Sequence, residues 1–252
     1  NPSPQIGKVI WRVIPEANPR LAALQTGQAD VVQEIPFFAL EGLKKIPTVK
    51  LQQQPVYFWD YFVGFKVDKP VVSDPVIRKA INMAVDRGPI AKAVFFSAGE
   101  PANTLLNPKV QDFDPDAAKL QPSFDVDGAR RLLDEDGWKA GSDGIREKNG
   151  QRASFLLYGI QNGTNNSMMQ AMQADLRRIG IEMKIQLWDA TVAWGKLATQ
   201  EFDAFTMSYP YLSATDALSL YFPSANRPTP NRMNWVNEET DRNLLGARTA
   251  TD

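Results

Sequence analysis

The chain has 252 residues, enough to bury a substantial core in one or two domains. Its 28 basic and 29 acidic residues are well mixed and leave a net charge of −1, which gives no electrostatic footprint for nucleic acid. It contains no cysteine and no histidine, which removes disulfides, thiolate catalysis, the commonest metal ligand and the most frequent general base. No metal and no cofactor is therefore expected, and no apolar run approaches the roughly 20 residues needed to span a bilayer.

The opening Asn1-Pro2-Ser3-Pro4 has neither the charged nor the apolar region of a signal peptide. Residues 8–14 alternate as a strand. Asn18 and Pro19 cap and start a helix that runs through Leu21, Ala22, Leu24 and Gln25 to Gly27, and residues 29–32 return as a strand. A compact βαβ unit is expected there. Residues 40–46 read as a short helix stopped by Pro47, and residues 49–53 as a strand. Residues 55–65 form the densest aromatic run, and their alternation favours a strand.

Residues 73–102 read as two helices joined by a charged corner. Ser73 or Asp74 can cap the first, with Pro75 in its first turn. Val76, Ile77, Ala80, Ile81, Ala84 and Val85 then make one apolar face. The stretch Asp86-Arg87-Gly88-Pro89 stops this helix and starts another, expected to reach Gly99. Residues 103–123 are loop-rich, and residues 125–137 form a capped helix ending at Gly137. Beyond it, residues 153–160, 181–187 and 202–207 read as strands, and residues 166–179 and 191–199 as helices. Asn165 or Asn166 is the expected N-cap of the first of these helices. Trp11, Trp138, Trp188 and Trp194 are expected to pack in the core.

The order of residues in the helical pair carries more than helix physics. Asp74, Ile77, Arg78, Ala80, Ile81, Asn82, Ala84, Val85, Asp86, Arg87, Ile90, Gly99, Pro101 and Ala102 follow a spacing that resembles family 5 of the extracellular solute-binding proteins. That family includes the dipeptide and oligopeptide receptors of ABC importers. Asn18, Pro19, Ala23, Leu24, Gln25, Gly27, Ala29 and Asp30 match it too, as do Asp125, Ala129, Leu132, Leu133, Gly137 and Trp138, and the corner at residues 173–183.

The resemblance implies an α/β fold: a periplasmic binding protein type II-like lobe with a mixed sheet and flanking helices, a fragment of a two-lobed clamp. Residues 1–61 would be a partial first-lobe segment ending in a hinge strand, and residues 62–252 the second, ligand-binding lobe. It implies a non-enzymatic, monomeric substrate-binding component of an ABC importer. Such a component works in the periplasm or on the outer face of the cytoplasmic membrane, with or without a lipid anchor. It would capture a small solute by lobe closure about residues 57–66 and present it to the permease transmembrane subunits.

Three segments would hold the ligand. The first contributes Tyr57, Trp59 and Tyr61, the second Tyr158, Gln161, Asn162 and Asn165, and the third Met207, Ser208, Tyr209, Tyr211 and Asp216. Peptide receptors of the family carry a Trp and then an Asp in the third segment, and dipeptide receptors an Arg near Gly159. This chain has no Arg between Arg152 and Arg177 and no Asp in the third segment before Asp216. A zwitterionic dipeptide would lose both anchors. Uncharged amides and aromatic rings point instead to an oligosaccharide or sugar conjugate. An oligopeptide receptor is the alternative within the family. A carboxylate-pair hydrolase using Asp60 and Asp216, or a sensor domain, is the alternative outside it.

Overall fold

The computed structural model describes residues 5–52, 58–110 and 112–250. Residues 1–54 with 95–98 form one compact unit, and residues 55–94 with 99–252 form another. In the smaller unit, α1 (Ala17–Gln25) and α2 (Leu40–Leu43) bury Leu21, Ala23 and Leu43. The ring of Phe37 meets Phe95 edge-on at 5.5 Å. The expected βαβ unit is not formed, since only its helix is present. Residues 8–14, 29–32 and 49–52 make no strand, while Gln53 lies outside the described residues. Val9, Trp11, Val13 and Val31 stand exposed. An alternating strand needs a neighbour to take its backbone N–H and C=O groups, and no strand lies beside these segments among the described residues of the unit. α2 ends sooner than expected because Lys45 and Ile46 turn back, donating to the Gly42 and Leu43 carbonyls.

The larger unit opens with β1 (Phe58–Phe65), the aromatic strand, followed by the helical pair α3 (Pro75–Ala84) and α4 (Arg87–Phe95). Asp74 caps α3 by accepting from the Val76 N–H at 2.8 Å, with Pro75 at the first position. Ile77, Ala80, Ile81 and Ala84 are buried as the apolar spacing requires. α4 stops at Phe95 and gives way to a 3-10 turn, Phe96–Ala98, so it falls short of Gly99. α5 (Val126–Glu135) is capped by Asp125 and packs on α3 through Ala129 and Leu133. Gly137, with φ of 90°, reverses the chain so that Trp138 is buried and its indole N–H donates to Asp74 at 3.1 Å.

A small antiparallel sheet follows, built from β2 (Lys139–Ala140), β3 (Arg146–Lys148) and β4 (Gln151–Arg152). Strands this short leave no alternation to read. Arg146 ties this sheet down. Its buried guanidinium donates to the carbonyls of Ile179 and Trp138 and to Asp134 at 2.6–2.8 Å.

The main sheet takes β5 (Ser154–Ile160), α6 (Gly163–Arg178), β6 (Glu182–Trp188), α7 (Ala190–Thr199) and β7 (Ala204–Tyr211) in turn. Its order is β1-β7-β5-β6, with β5 parallel to both β6 and β7, and β1 antiparallel to β7. β7 runs four residues beyond the expected Met207 because β1 pairs along its whole length, from Phe65↔Ala204 to Phe58↔Tyr211. α8 (Ala214–Tyr221) and α9 (Glu238–Thr249) follow. One face of the sheet carries a core of Tyr158, Leu197, Phe202, Phe205, Met207, Tyr211, Ala217 and Tyr221. Of the four tryptophans expected inside, Trp138 is buried and Trp188 half-buried against Tyr158. Trp11 and Trp194 are exposed, Trp11 because its segment has no sheet to join and Trp194 because Ala193 and Leu197 are the buried positions of α7.

Candidate functional site

In an open sheet with parallel strands, the crevice outside their carboxyl ends is where ligands are held, because the loops and helix N-termini converge there. Here β5 and β6 end together, β7 runs further to Tyr211, and antiparallel β1 begins beside the end of β7. The ends at Phe58, Ile160, Trp188 and Tyr211, far apart in sequence, therefore meet at one edge. The loop after β5 brings Gln161 and Asn162, β6 leads into Asp189 and α7, and β7 leads through Tyr209 to α8.

Of the residues expected to bind, Tyr57 lies outside the described residues, and Trp59 stands in β1 opposite Pro210. Tyr61 is half-buried opposite Ser208, and the two side chains are hydrogen-bonded. Burial raises the Tyr61 phenol above its ordinary value despite that bond, so it stays neutral and serves as a hydrogen-bonding group. Tyr209 is 40% exposed and Gln161 is exposed. Tyr61, Tyr209 and Gln161 thus stay at least partly open at the edge, Tyr61 and Tyr209 on opposite faces of the sheet.

Others do not. Tyr158, Met207 and Tyr211 point into the core, since strand alternation sends them to the face covered by α7 and α8. The asparagines build the corner. Asn162, not Asn165 or Asn166, is the N-cap of α6, accepting from the Asn165 N–H at 2.8 Å. The buried Asn165 amide donates to the Ile160 carbonyl at 2.8 Å, locking the strand to the helix. Asp216 occupies the first turn of α8, where a carboxylate suits the helix dipole.

Two features escaped the sequence reading. Asp112, a hundred residues upstream, accepts from the Ala214 N–H at 2.8 Å and from the Thr215 hydroxyl at 3.0 Å, and so holds the start of α8. Gly159 is the other, a strand-end position closely packed by its neighbours. A Cβ there would lie 1.9 Å from the Met169 methyl and 2.9 Å from the Thr206 methyl, so the position faces packed interior. Among the described residues, no cluster of three or more acidic groups converges as a metal site, and no helix is long and apolar enough to cross a membrane. Cavities of about 300 Å³ between α6 and β6 and about 640 Å³ beside α3 are lined by none of the candidate residues.

The chain is similar to the oligopeptide-binding protein AppA of Bacillus subtilis, 27% identical over 253 residues that cover 99% of this chain and 46% of AppA. The structure of AppA in complex with a nonapeptide superposes with a TM-score of 0.82 at 24% identity, over 95% of this chain and 48% of that one. The glutathione-binding protein GsiB of Salmonella typhimurium is 28% identical over 261 residues, covering 99% of this chain and 48% of GsiB. The nickel-binding periplasmic protein of Escherichia coli is 30% identical over 194 residues, 72% of this chain and 35% of that protein. The chain thus spans about half the length of the curated relatives it matches. The family model for bacterial extracellular solute-binding proteins, family 5 middle, matches residues 1–228, and with the mixed sheet and its flanking helices in place, the chain belongs to that family.

Proposed function

We propose that this chain is part of the substrate-binding component of an ABC importer and that its cargo is an oligopeptide of several residues, held largely through its main chain. The observation that carries the reading is the chemistry of the carboxyl edge. Gln161, Ser208 and Tyr61 supply uncharged hydrogen-bonding groups, and Tyr209, on the other face of the sheet, supplies a half-exposed ring. Such a surface suits peptide amides and flat side-chain faces. These four groups by themselves pair neither charged end of a dipeptide.

The oligosaccharide expectation rested on the same neutral groups. The relatives' names tip the balance away from it, because they specify oligopeptide, glutathione and nickel. Absence of a strand-end arginine argues against short zwitterions, not against longer peptides whose termini lie elsewhere. Residues 57–66, with β1 inside them, remain the proposed hinge, and the lobe assignment (residues 1–61 and 62–252) belongs to the same proposal. Closure, export from the cytoplasm and delivery to a permease are proposed for the intact protein.

Calorimetry on the full-length protein tests this with peptides of two, four, six and nine residues, a set of oligosaccharides, and nickel with free histidine. Binding is expected to strengthen from two residues to at least four, with no heat from sugars or nickel. A tight dipeptide, or heat from sugars alone, would overturn the reading.

A further inference from the structure

Buried guanidinium groups in this lobe are used by the fold, with one exception. Arg146 donates to two carbonyls and Asp134, Arg78 to the Val72 and Ser73 carbonyls, and Arg87 to Asn82. Arg232, in the segment between α8 and α9, is half-buried like Arg78 and Arg87. Its Nε is fully buried with no hydrogen-bond partner, and no carboxylate among the described residues pairs with it. Its guanidinium carbon sits 5.7 Å from the ring of Trp194, which is 51% exposed.

The surroundings place this group beside the end of β7. Tyr221 lies within electrostatic reach of Arg232, its hydroxyl meets the Met207 sulfur at 3.5 Å, and its ring stands edge-on to Tyr211 at 6.2 Å. The ring of Tyr221 also stands edge-on to the half-exposed Tyr209, at 6.4 Å. Burial lowers the Arg232 pKa, so holding this cation costs the fold something. The nearby indole offsets part of that cost and leaves the terminal guanidinium nitrogens, which are not among the buried unpaired atoms, for a planar acceptor.

We propose that Arg232, on its Trp194 platform, receives a carboxylate of the bound peptide. The fold would thus supply from the α8–α9 segment the anchor that Gly159 has no room for. Carboxylate is the chemistry matched by the arginine fork, through two parallel N–H···O bonds. The acceptor is the carboxylate of either the peptide's C-terminus or an acidic side chain. The assignment rests on the peptide reading above.

The test measures binding of three versions of one peptide to the full-length protein: free acid, C-terminal amide, and amide with one added glutamate. Wild type is expected to bind at least one carboxylate-bearing version about 10- to 100-fold more tightly than the plain amide. Arg232→Met should erase that preference while leaving plain-amide affinity and the thermal midpoint unchanged or raised. Whether the free acid or the glutamate version gains identifies the carboxylate. An R232M protein that keeps the preference overturns the proposal, and so does one that loses amide affinity equally. If no peptide binds, the peptide reading fails, and succinate titration followed by tryptophan fluorescence tests the anchor alone. A saturable change abolished in both R232M and Trp194→Phe supports it, and one unaffected by R232M overturns it.

Discussion

Asp74 shows how one side chain can serve three purposes at once. It caps α3, accepts from the Trp138 indole, and stands 3.6 Å from Lys148. Burial opposes its ionisation, but the bonds from Val76 and Trp138 and the nearby lysine outweigh that and hold the carboxyl below its ordinary 3.8. Asp74→Ala should cost about 2 kcal/mol in urea unfolding near neutral pH, about half from the cap and half from the indole bond. A group with a depressed folded-state pKa stabilises above its unfolded value and loses that contribution as pH falls below it. The gap between wild type and variant should therefore narrow as pH falls from 3.8 through the lower folded-state pKa, and a gap independent of pH would show that the ionised carboxylate is not its source. The cap was legible because Asp precedes Pro and an apolar period. The Trp138 partnership was not, because it joins residues 64 apart. The asparagines at 162–166 were misread for a related reason. Several adjacent residues of one capping type leave the first turn ambiguous until the strand end fixes it at Asn162.

At the scale of elements, periodicity located α3, α5, α6, α7, β5 and β6 to within a few residues. It failed where an element depends on a neighbour. β7 exceeds its expected span because β1 pairs with it, and residues 8–14 alternate without forming a strand. The β2–β3–β4 sheet is too short to announce itself and is held by Arg146. Arg146→Met should therefore destabilise the lobe by roughly 3–5 kcal/mol, since it strands the Ile179 and Trp138 carbonyls and frees Asp134. Urea unfolding measures this, and a loss under about 1 kcal/mol would mean water replaces the guanidinium at little cost. The candidate site divides in the same way. Its segments were legible from resemblance, while the cover that α7 and α8 lay over one face decided which side chains are buried, taking in Tyr158, Met207 and Tyr211 and leaving Tyr209 of the same face 40% exposed.

Across the whole molecule, protection is uneven. Residues 8–14 make no strand and expose Val9, Trp11 and Val13, whereas β5 is paired on both sides, by β6 and by β7. Hydrogen exchange on this 252-residue chain should find the amides of residues 8–14 near the unprotected rate and those of β5 among the slowest. Slow exchange at residues 8–14 would mean that the segment pairs with something after all. The overall class was legible because sequence patterning survives even where a partner strand is missing. The state of that segment was not, because a period of two reports a preference for a sheet and not the presence of one.

The pairing of β1 with β7 joins Phe58 to Tyr211 and Phe65 to Ala204. During synthesis β1 leaves the ribosome well over a hundred residues before its partner exists. At about 5–20 residues per second that is a wait of roughly 7–30 s. For that interval a strand reading Phe-Trp-Asp-Tyr-Phe-Val-Gly-Phe is an unpaired, aromatic-rich nascent segment. The strand that closes the finished sheet is thus the one with the longest claim on a chaperone during translation.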